Sequence, residues 1–309
     1  MNVTAWKTDN YKFVGKAFDF RYANRLNALA PILGTRTTNS VDYELEGAGG
    51  YGELQVYDGT NLNQGDMNRG FKMIVTPQEY SKSIPVRYKE AKVDKSGTCR
   101  KVGTRLGDSA AMTVYMHTLR TLSGAFTGAK GGDGKTWAAT DHPVASKGSS
   151  GRTFVVDPDS GTYSNLVTAQ LSVAAITEAQ SMANRFVTPD GLPFLCKMDT
   201  LLVSPELEAT AEKICGKSAK LYPGQTADVN PVSDMNYIVI GGGNAGFSAK
   251  QWAICDKALM KDIFNLIYIT KPTVLQSEQD NPLIDMYTAY VDFALGWGDA
   301  RQIIFSNPA

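Results

Sequence analysis

Apolar residues recur at helical spacing over one long stretch: Val102, Leu106, Ala110 and Val114, followed by Tyr115, Leu119, Leu122 and Phe126. A single apolar stripe at this period is the mark of a helix with one buried face, so the pattern predicts a long helix over 97–126. Gly103 and Gly107 lie one turn apart inside it. They lower the helix's intrinsic stability, but having no side chains they let another element approach closely. A second helix is predicted after Ser172, through Val173, Ile176, Ala183 and Phe186, and stopped by the turn at Pro189-Asp190-Gly191. A third follows the short apolar strand Thr200–Val203. There Ser204 stands at the N-cap position, Pro205 at the first helical position and Glu206 in the first turn, and Gly216 closes the helix.

Toward the C-terminus the period changes from helical to two. Strands are predicted over Ile263–Thr270, over Leu283–Leu295 with Tyr287, Ala289, Val291, Phe293 and Leu295 on one face, and over Arg301–Phe305. The class is therefore α+β. Residues 1–42 are polar and mixed, with a short helix expected from Asp19 to Ala30 before Pro31, and read as an arm. Between Tyr43 and Val86 the pattern gives two strand-like pieces, Glu53–Tyr57 and Gly70–Val75, separated by the polar stretch Asp58–Asp66. A lone hairpin buries too little apolar surface to offset the ordering of its backbone. It needs a body to lie on, its own or a neighbouring copy's, and the glycine-rich entry Gly47–Gly50 would let it swing outward.

Composition narrows the reading. Lysine plus arginine equals aspartate plus glutamate, 31 each in 309 residues. This balance points to neither a dedicated nucleic-acid groove nor an anionic-membrane surface, and weakens the repulsion between identical copies. The apolar run Ile263–Ile269 is too short to span a bilayer, and the Met1 end lacks the basic and apolar blocks of a signal peptide, so folding in the cytosol and no membrane partner are expected. Cys99, Cys196, Cys215 and Cys255 are widely spaced, and there are 2 histidines. No metal site and four reduced thiols are expected.

Two stretches mimic nucleotide-binding signatures. Ala129–Thr136 (AKGGDGKT) approximates a phosphate-binding loop, but a helix precedes it where that motif needs a strand, and Pro143 opposes a following helix. A solvent-exposed loop, flexible through its glycines, is the expectation. The strand Tyr237–Ile240 running into Gly241–Gly246 (GGGNAG) approximates a dinucleotide fingerprint, which would make the chain an oxidoreductase. The strand after it ends at Thr270-Lys271-Pro272 instead of in the acidic residue that binds the ribose. A glycine-rich connection between strands is preferred, with no cofactor. His142 sits in the turn Thr140–Pro143 with no recognisable nucleophile, and His117 lies on the long helix. Structural roles are expected for both, and no catalytic residue is assigned.

Five stretches, in order, resemble one family. They are Asp133–Pro143, Gly161–Leu166, Thr200–Ile214, Trp252–Asp256 and Gly296–Arg301. Together they resemble the major head subunits of tailed bacteriophages, specifically the Mu-like prophage major head subunit, over about residues 40–306. The resemblance implies the Hong Kong 97 type phage capsid fold: an N-terminal arm (1–42), an extended loop (43–86), a peripheral domain (87–159) with a spine helix over 97–126, an axial domain (160–262) and return strands of the peripheral domain (263–309). It implies an icosahedral shell of pentamers and hexamers that encloses double-stranded DNA without sequence preference. Scaffold, portal and decoration proteins are the partners it suggests, and assembly is expected in the host bacterial cytoplasm. Encapsulin shells share the fold, so a cargo-storing nanocompartment is the alternative. Leu54, Val56, Tyr57, Phe71, Met73 and Val75 are the expected inter-subunit residues of the extended loop. Asp141, His142, Pro143, Trp252, Asp256, Trp297, Asp299 and Arg301 are the expected structural residues of the family motifs.

Overall fold

The computed structural model describes residues 3–25, 28–47, 54, 56, 57, 59, 60, 62, 70–93, 97–144, 161–188, 192–215, 229–241, 245–278 and 283–308. Along the chain the elements are α1 (Val3–Asn24), β1 (Gly34–Thr37), β2 (Tyr43–Glu46), β3 (Lys72–Val75), β4 (Gln78–Arg87), α2 (Tyr88–Lys92) and α3 (Thr98–Ser123), which ends in a 3-10 turn, Gly124–Phe126. There follow β5 (His142–Pro143), β6 (Thr162–Tyr163), β7 (Leu166–Val167), α4 (Val173–Ala183), β8 (Thr200–Val203), a 3-10 turn over Pro205–Leu207 and α5 (Glu208–Cys215). The last are β9 (Asn236–Val239), β10 (Trp252–Cys255), α6 (Lys257–Ile263), β11 (Phe264–Glu278), β12 (Ile284–Trp297) and β13 (Ile303–Ser306).

Two sheets organise the body. One has four strands in the order β1-β11-β12-β4, the other five in the order β7-β13-β10-β8-β9. In the first sheet β12 alternates as its sequence requires: Tyr287, Ala289, Val291 and Phe293 are buried toward the helices. The long helix α3 lies on that face. Its first half packs Val102, Leu106 and Ala110 against Val274, Tyr287 and Ala289. Its second half packs Val114, Leu119 and Leu122 into the core shared with the second sheet. The strands β8, β10 and β13 of that sheet are buried at every position. One face (Leu202, Ala253, Ile303, Phe305) joins the core under α3, and the other (Leu201, Val203, Trp252, Ile254, Ile304) packs with residues of α4 and α5. Burial on both faces explains why these strands read as continuous apolar runs.

The element that exploits Gly103 and Gly107 is α1. A Cβ on Gly103 would overlap the Val14 carbonyl, and one on Gly107 would lie 2.8 Å from the Phe18 carbonyl oxygen. The N-terminal helix therefore starts earlier and runs longer than the expected Asp19–Ala30 segment, and it lies on the body. Among its described side chains only Val14 and Phe18 are fully buried, which is too thin a stripe to show as a period. Leu29, Ile32 and Leu33, just beyond it, enter the main core.

Other expectations shift in register. The strand paired with Lys72–Val75 is Tyr43–Glu46, not Glu53–Tyr57; Leu54, Val56 and Tyr57 are in no strand. Residues 78–86, grouped with the extended loop on sequence, pair throughout with β12. The strand expected to stop at Thr270 continues to Glu278, with irregular pairing between Tyr268 and Thr273 that accommodates Lys271-Pro272. Ser172 caps α4 as read, its side chain accepting from the Ala175 N–H at 3.1 Å. Ser204 does not cap its turn; its hydroxyl donates to the Ala249 carbonyl at 3.0 Å and ties down the connection before β10. Gly216 lies outside the described residues.

The close approach of α1 is testable. Gly103→Ala gains about 1 kcal/mol of helix propensity but forces α1 off α3, and overpacking of this kind costs about 1–3 kcal/mol. The expected outcome is a lower Tm by circular dichroism; a raised Tm would show that α1 does not pack there.

Candidate functional site: a buried joint and a projecting loop

The residues of the family motifs meet at the seam between the two sheets. Asn165, which follows β6 and is fully buried, is the hub. Its side-chain amide nitrogen donates to the carbonyls of Trp137 at 2.7 Å, Ala300 at 3.1 Å and Ile303 at 3.3 Å, and its Oδ1 accepts from the Ala139 N–H at 3.0 Å. Four backbone partners fix the orientation of the amide. The same Oδ1 lies 3.2 Å from His142 Nε2, and His142 Nδ1 lies 2.6 Å from Asp133 Oδ2. Both ring nitrogens thus have hydrogen-bond partners inside the joint. Tyr163 stacks on the imidazole with centroids 5.2 Å apart.

Around this hub the remaining motif residues close the joint. Trp137 and Trp297 stack at 5.4 Å with planes 4° apart. Asp299 accepts from the Arg301 guanidinium at 2.5 Å and from the Arg301 backbone N–H at 2.9 Å, and both side chains are buried. Arg301 also donates to the Val187 carbonyl at 2.8 Å and lies over the Phe194 ring at 4.7 Å. Asp256 caps α6, accepting from the N–H groups of Ala258 at 2.9 Å and Leu259 at 3.0 Å, and binds the Lys197 N–H at 2.8 Å. The Trp252 indole donates to the Ala169 carbonyl at 3.0 Å. Pro143 is half-buried beside His142, whereas Asp141 is exposed and pairs with Lys135, which holds its carboxyl below the usual range. Asn165 was not singled out on sequence, because a buried asparagine carries no periodic signal; its one mark is its place inside the Gly161–Leu166 motif.

Among the described residues, neither nucleotide signature shows the strand-to-helix order that such a site needs. Lys135 engages Asp141, and Gly131 and Gly132 are needed for contact: side chains there would overlap the Trp297 ring and the Lys72 backbone respectively. The loop is solvent-exposed at Ala129, Lys130, Gly132 and Gly134, as expected, but Gly131 and Gly132 also serve close contacts with the body. Beyond β9, Gly241 accepts a hydrogen bond from the Tyr115 hydroxyl at 2.8 Å, and the described residues 245–251 hold no α-helix before β10; residues 242–244 lie outside the described set. His117 packs on Tyr80 and edge-on to Phe293, and burial lowers its pKa. Burial pushes the Cys196 and Cys215 thiols up to about 11, which keeps them protonated and unreactive at neutral pH. Among the described residues no group of three or more His, Cys, Asp or Glu side chains is placed to hold a metal ion.

What the described residues of the stretch before β3 do present is apolar side chains exposed to solvent. Leu54 is 97% exposed, Val56 93% and Tyr57 59%. Phe71 is half-buried at the loop's base, where Gly47 donates to its carbonyl at 2.8 Å. Val75 is buried with Leu45, Ile267 and Ala294, and Met73 packs against the same cluster. These two expected inter-subunit residues therefore serve the chain's own body, because β3 lies across the sheet.

A two-sheet body joined by buried hydrogen bonds, with no metal cluster among the described residues and with Leu54, Val56 and Tyr57 exposed, fits a structural subunit. Residues 70–304 match the family described as phage capsid protein, and the chain belongs to that family. It is a phage capsid protein. A comparison with curated proteins gives no match. Solved structures share the fold, of Hong Kong 97 type. The virus-like particle from Pyrococcus furiosus superposes with a TM-score of 0.55 at 10% identity, over 96% of this chain and 99% of the other. The procapsid of bacteriophage JBD30 gives 0.54 at 13% identity, over 96% and 73%, and the capsid of Ralstonia phage GP4 gives 0.53 at 12%, over 90% and 89%.

The joint makes a sharp contrast available. Asn165→Ala leaves several buried backbone groups and the Nε2 of His142 without partners, each worth about 1–3 kcal/mol, so unfolding by urea should show a loss above about 3 kcal/mol. Lys135→Ala removes an exposed ion pair, for which less than about 1 kcal/mol is expected, with no change in nucleotide binding by calorimetry. A Lys135-dependent ATP affinity would contradict the assignment.

Proposed function

We propose that the exposed loop is the mechanical coupling of the shell: each copy lays residues 54–62 across a neighbour, and the copies close into pentamers and hexamers. In this reading residues 1–42 form the N-terminal arm. The four-stranded sheet with α3 is the core of the peripheral domain, and the five-stranded sheet with α4 and α5 is the core of the axial domain. The observation that carries the proposal is the near-complete exposure of Leu54 and Val56. Apolar side chains held off the body in a chain that belongs to a capsid family have a natural cover in the next copy. The Mu-like prophage head subunits are the particular relatives that the sequence motifs favour. The family match supports a virus head over a cargo-storing shell, although both use this fold.

The work proposed is mechanical, with no catalytic step and no cofactor. With positive and negative side chains equal in number, contact with packaged DNA would be weak, salt-sensitive and blind to sequence. Scaffold, portal and decoration proteins would act with the shell, and assembly would take place in the host bacterial cytoplasm.

Replacing residues 51–68 by a short Gly-Ser linker, with Gly47 and Gly70 kept, tests the loop. The expected product is a soluble monomer with the wild-type Tm that fails to form shells. Specific interfaces bury on the order of 1,200–2,000 Å², and the loop would supply much of one such contact in every copy. Calorimetry with light scattering reads both quantities. A variant that melts early places the loop on its own body, and one that still assembles removes it from the coupling.

A further inference from the structure

At the C-terminal end of α3 lies a cavity of about 240 Å³, bounded by the last turns of that helix, Met73 of β3, and Leu295 and Trp297 of β12. Trp137 completes the wall. That residue is fully buried, and its indole N–H has no hydrogen-bond acceptor among the described residues. A buried donor left unpaired is costly and rare, so one in a cavity wall marks the place of an acceptor. The same wall holds His117 and Arg120. Burial, and then the charge of Arg120, lower the pKa of His117, so the imidazole is largely neutral at pH 7. Arg120 is therefore the one full charge among the described lining residues, which include no carboxylate. No described acidic side chain pairs with it. Arg120, Gly128 and Ala129 are exposed, and the cavity opens to solvent on their side.

We propose that this cavity binds a small carboxylate with an apolar body: the Arg120 guanidinium and the Trp137 N–H take the carboxylate, and Met73, Leu295 and the indole rings take the body. The inference is independent of the reading of the exposed loop. Charge selects the head group. A guanidinium presents parallel donors that match the two oxygens of a carboxylate, and one cation balances one carboxylate, whereas a doubly charged phosphate would keep a charge without a partner. The apolar wall selects the rest. A mostly apolar pocket with a few convergent polar groups is the usual make-up of a small-molecule site, and here the stacked rings of Trp137 and Trp297 supply flat apolar surface. Size sets the limit. A water's share of liquid volume is about 30 Å³, so the space holds a molecule of roughly eight non-hydrogen atoms. Because the wall is drawn from α3, β3 and β12, a ligand seated there would brace the three elements together, and it would raise the melting temperature by mass action.

Calorimetric titration of the full chain with benzoate, alongside the neutral isostere benzamide, tests the site. Benzoate should bind and raise the Tm, and benzamide should bind about tenfold or more weakly, the usual loss when a charged hydrogen bond is removed. Arg120→Gln should weaken benzoate by a similar factor, and Ala129→Trp should block the cavity with a side chain. Both positions are exposed, so both variants should keep the wild-type Tm without the probe. The same head group can be borne by a free acid or by the end of a peptide, and N-acetyl-glycyl-phenylalanine separates these sources: tighter binding than benzoate names a peptide C-terminus, weaker binding a free small acid, and each supports the carboxylate site. Absence of benzoate binding at millimolar concentration overturns the proposal and leaves water as the acceptor of the Trp137 N–H. Binding unchanged in either variant places the anion elsewhere on the surface and overturns it too. Equal binding of benzamide and benzoate would remove the role of charge and overturn the assignment to a carboxylate.

Discussion

The amide of Asn165 holds together parts of the chain that lie far apart in sequence. Through one side chain the backbone at Trp137 and Ala139, just after the long helix, is joined to Ala300 and Ile303 at the C-terminal strand. The hub is fully buried, so each bond it makes is formed where water cannot substitute. This is why the surrounding motifs lie so close together: His142 and Asp133 extend the network on one side, and Trp137 and Trp297 stack on the other. The two sheets thereby become one stiff body. A subunit that transmits load through a shell needs that property more than it needs any reactive group.

Legibility followed the number of side chains that each element buries in its own chain. The helix over Thr98–Ser123 and the strand over Ile284–Trp297 each bury a full stripe, and their periods of 3.6 and 2 were plain. The N-terminal helix buries Val14 and Phe18 and relies on missing side chains in its partner, so its stabilising contact is written in Gly103 and Gly107. The strand Tyr43–Glu46 buries only Leu45. The more apolar stretch Glu53–Tyr57 looked like the better strand, but its described residues Leu54, Val56 and Tyr57 are in none, since an apolar residue outside a sheet gives the same signal as one within it.

The two false nucleotide signatures share a physical cause. Glycines that cradle a phosphate and glycines that let backbones touch a tryptophan ring are the same residues selected for the same absence of a side chain. At Gly131 and Gly132 the approaching group is Trp297 or the Lys72 backbone. What separated the cases on sequence was context, the order of helix, loop and strand. The buried histidine was equally ambiguous, because the partners that define its role, Asp133 and Asn165, lie 9 and 23 residues away.

The body and the projecting loop divide the chemistry between them. Inside, the joint ties Asn165, His142 and Asp133, and beside them Asp299 and Arg301, into buried hydrogen bonds whose loss is costly; outside, Leu54 and Val56 are left almost wholly exposed. Equal numbers of positive and negative side chains leave little long-range repulsion between copies. On the proposed reading, a chain arranged in this way would fold without its neighbours and complete its apolar burial with them. Shell formation would then draw on surface that folding leaves uncovered, and the two processes would be separable in energy as well as in time.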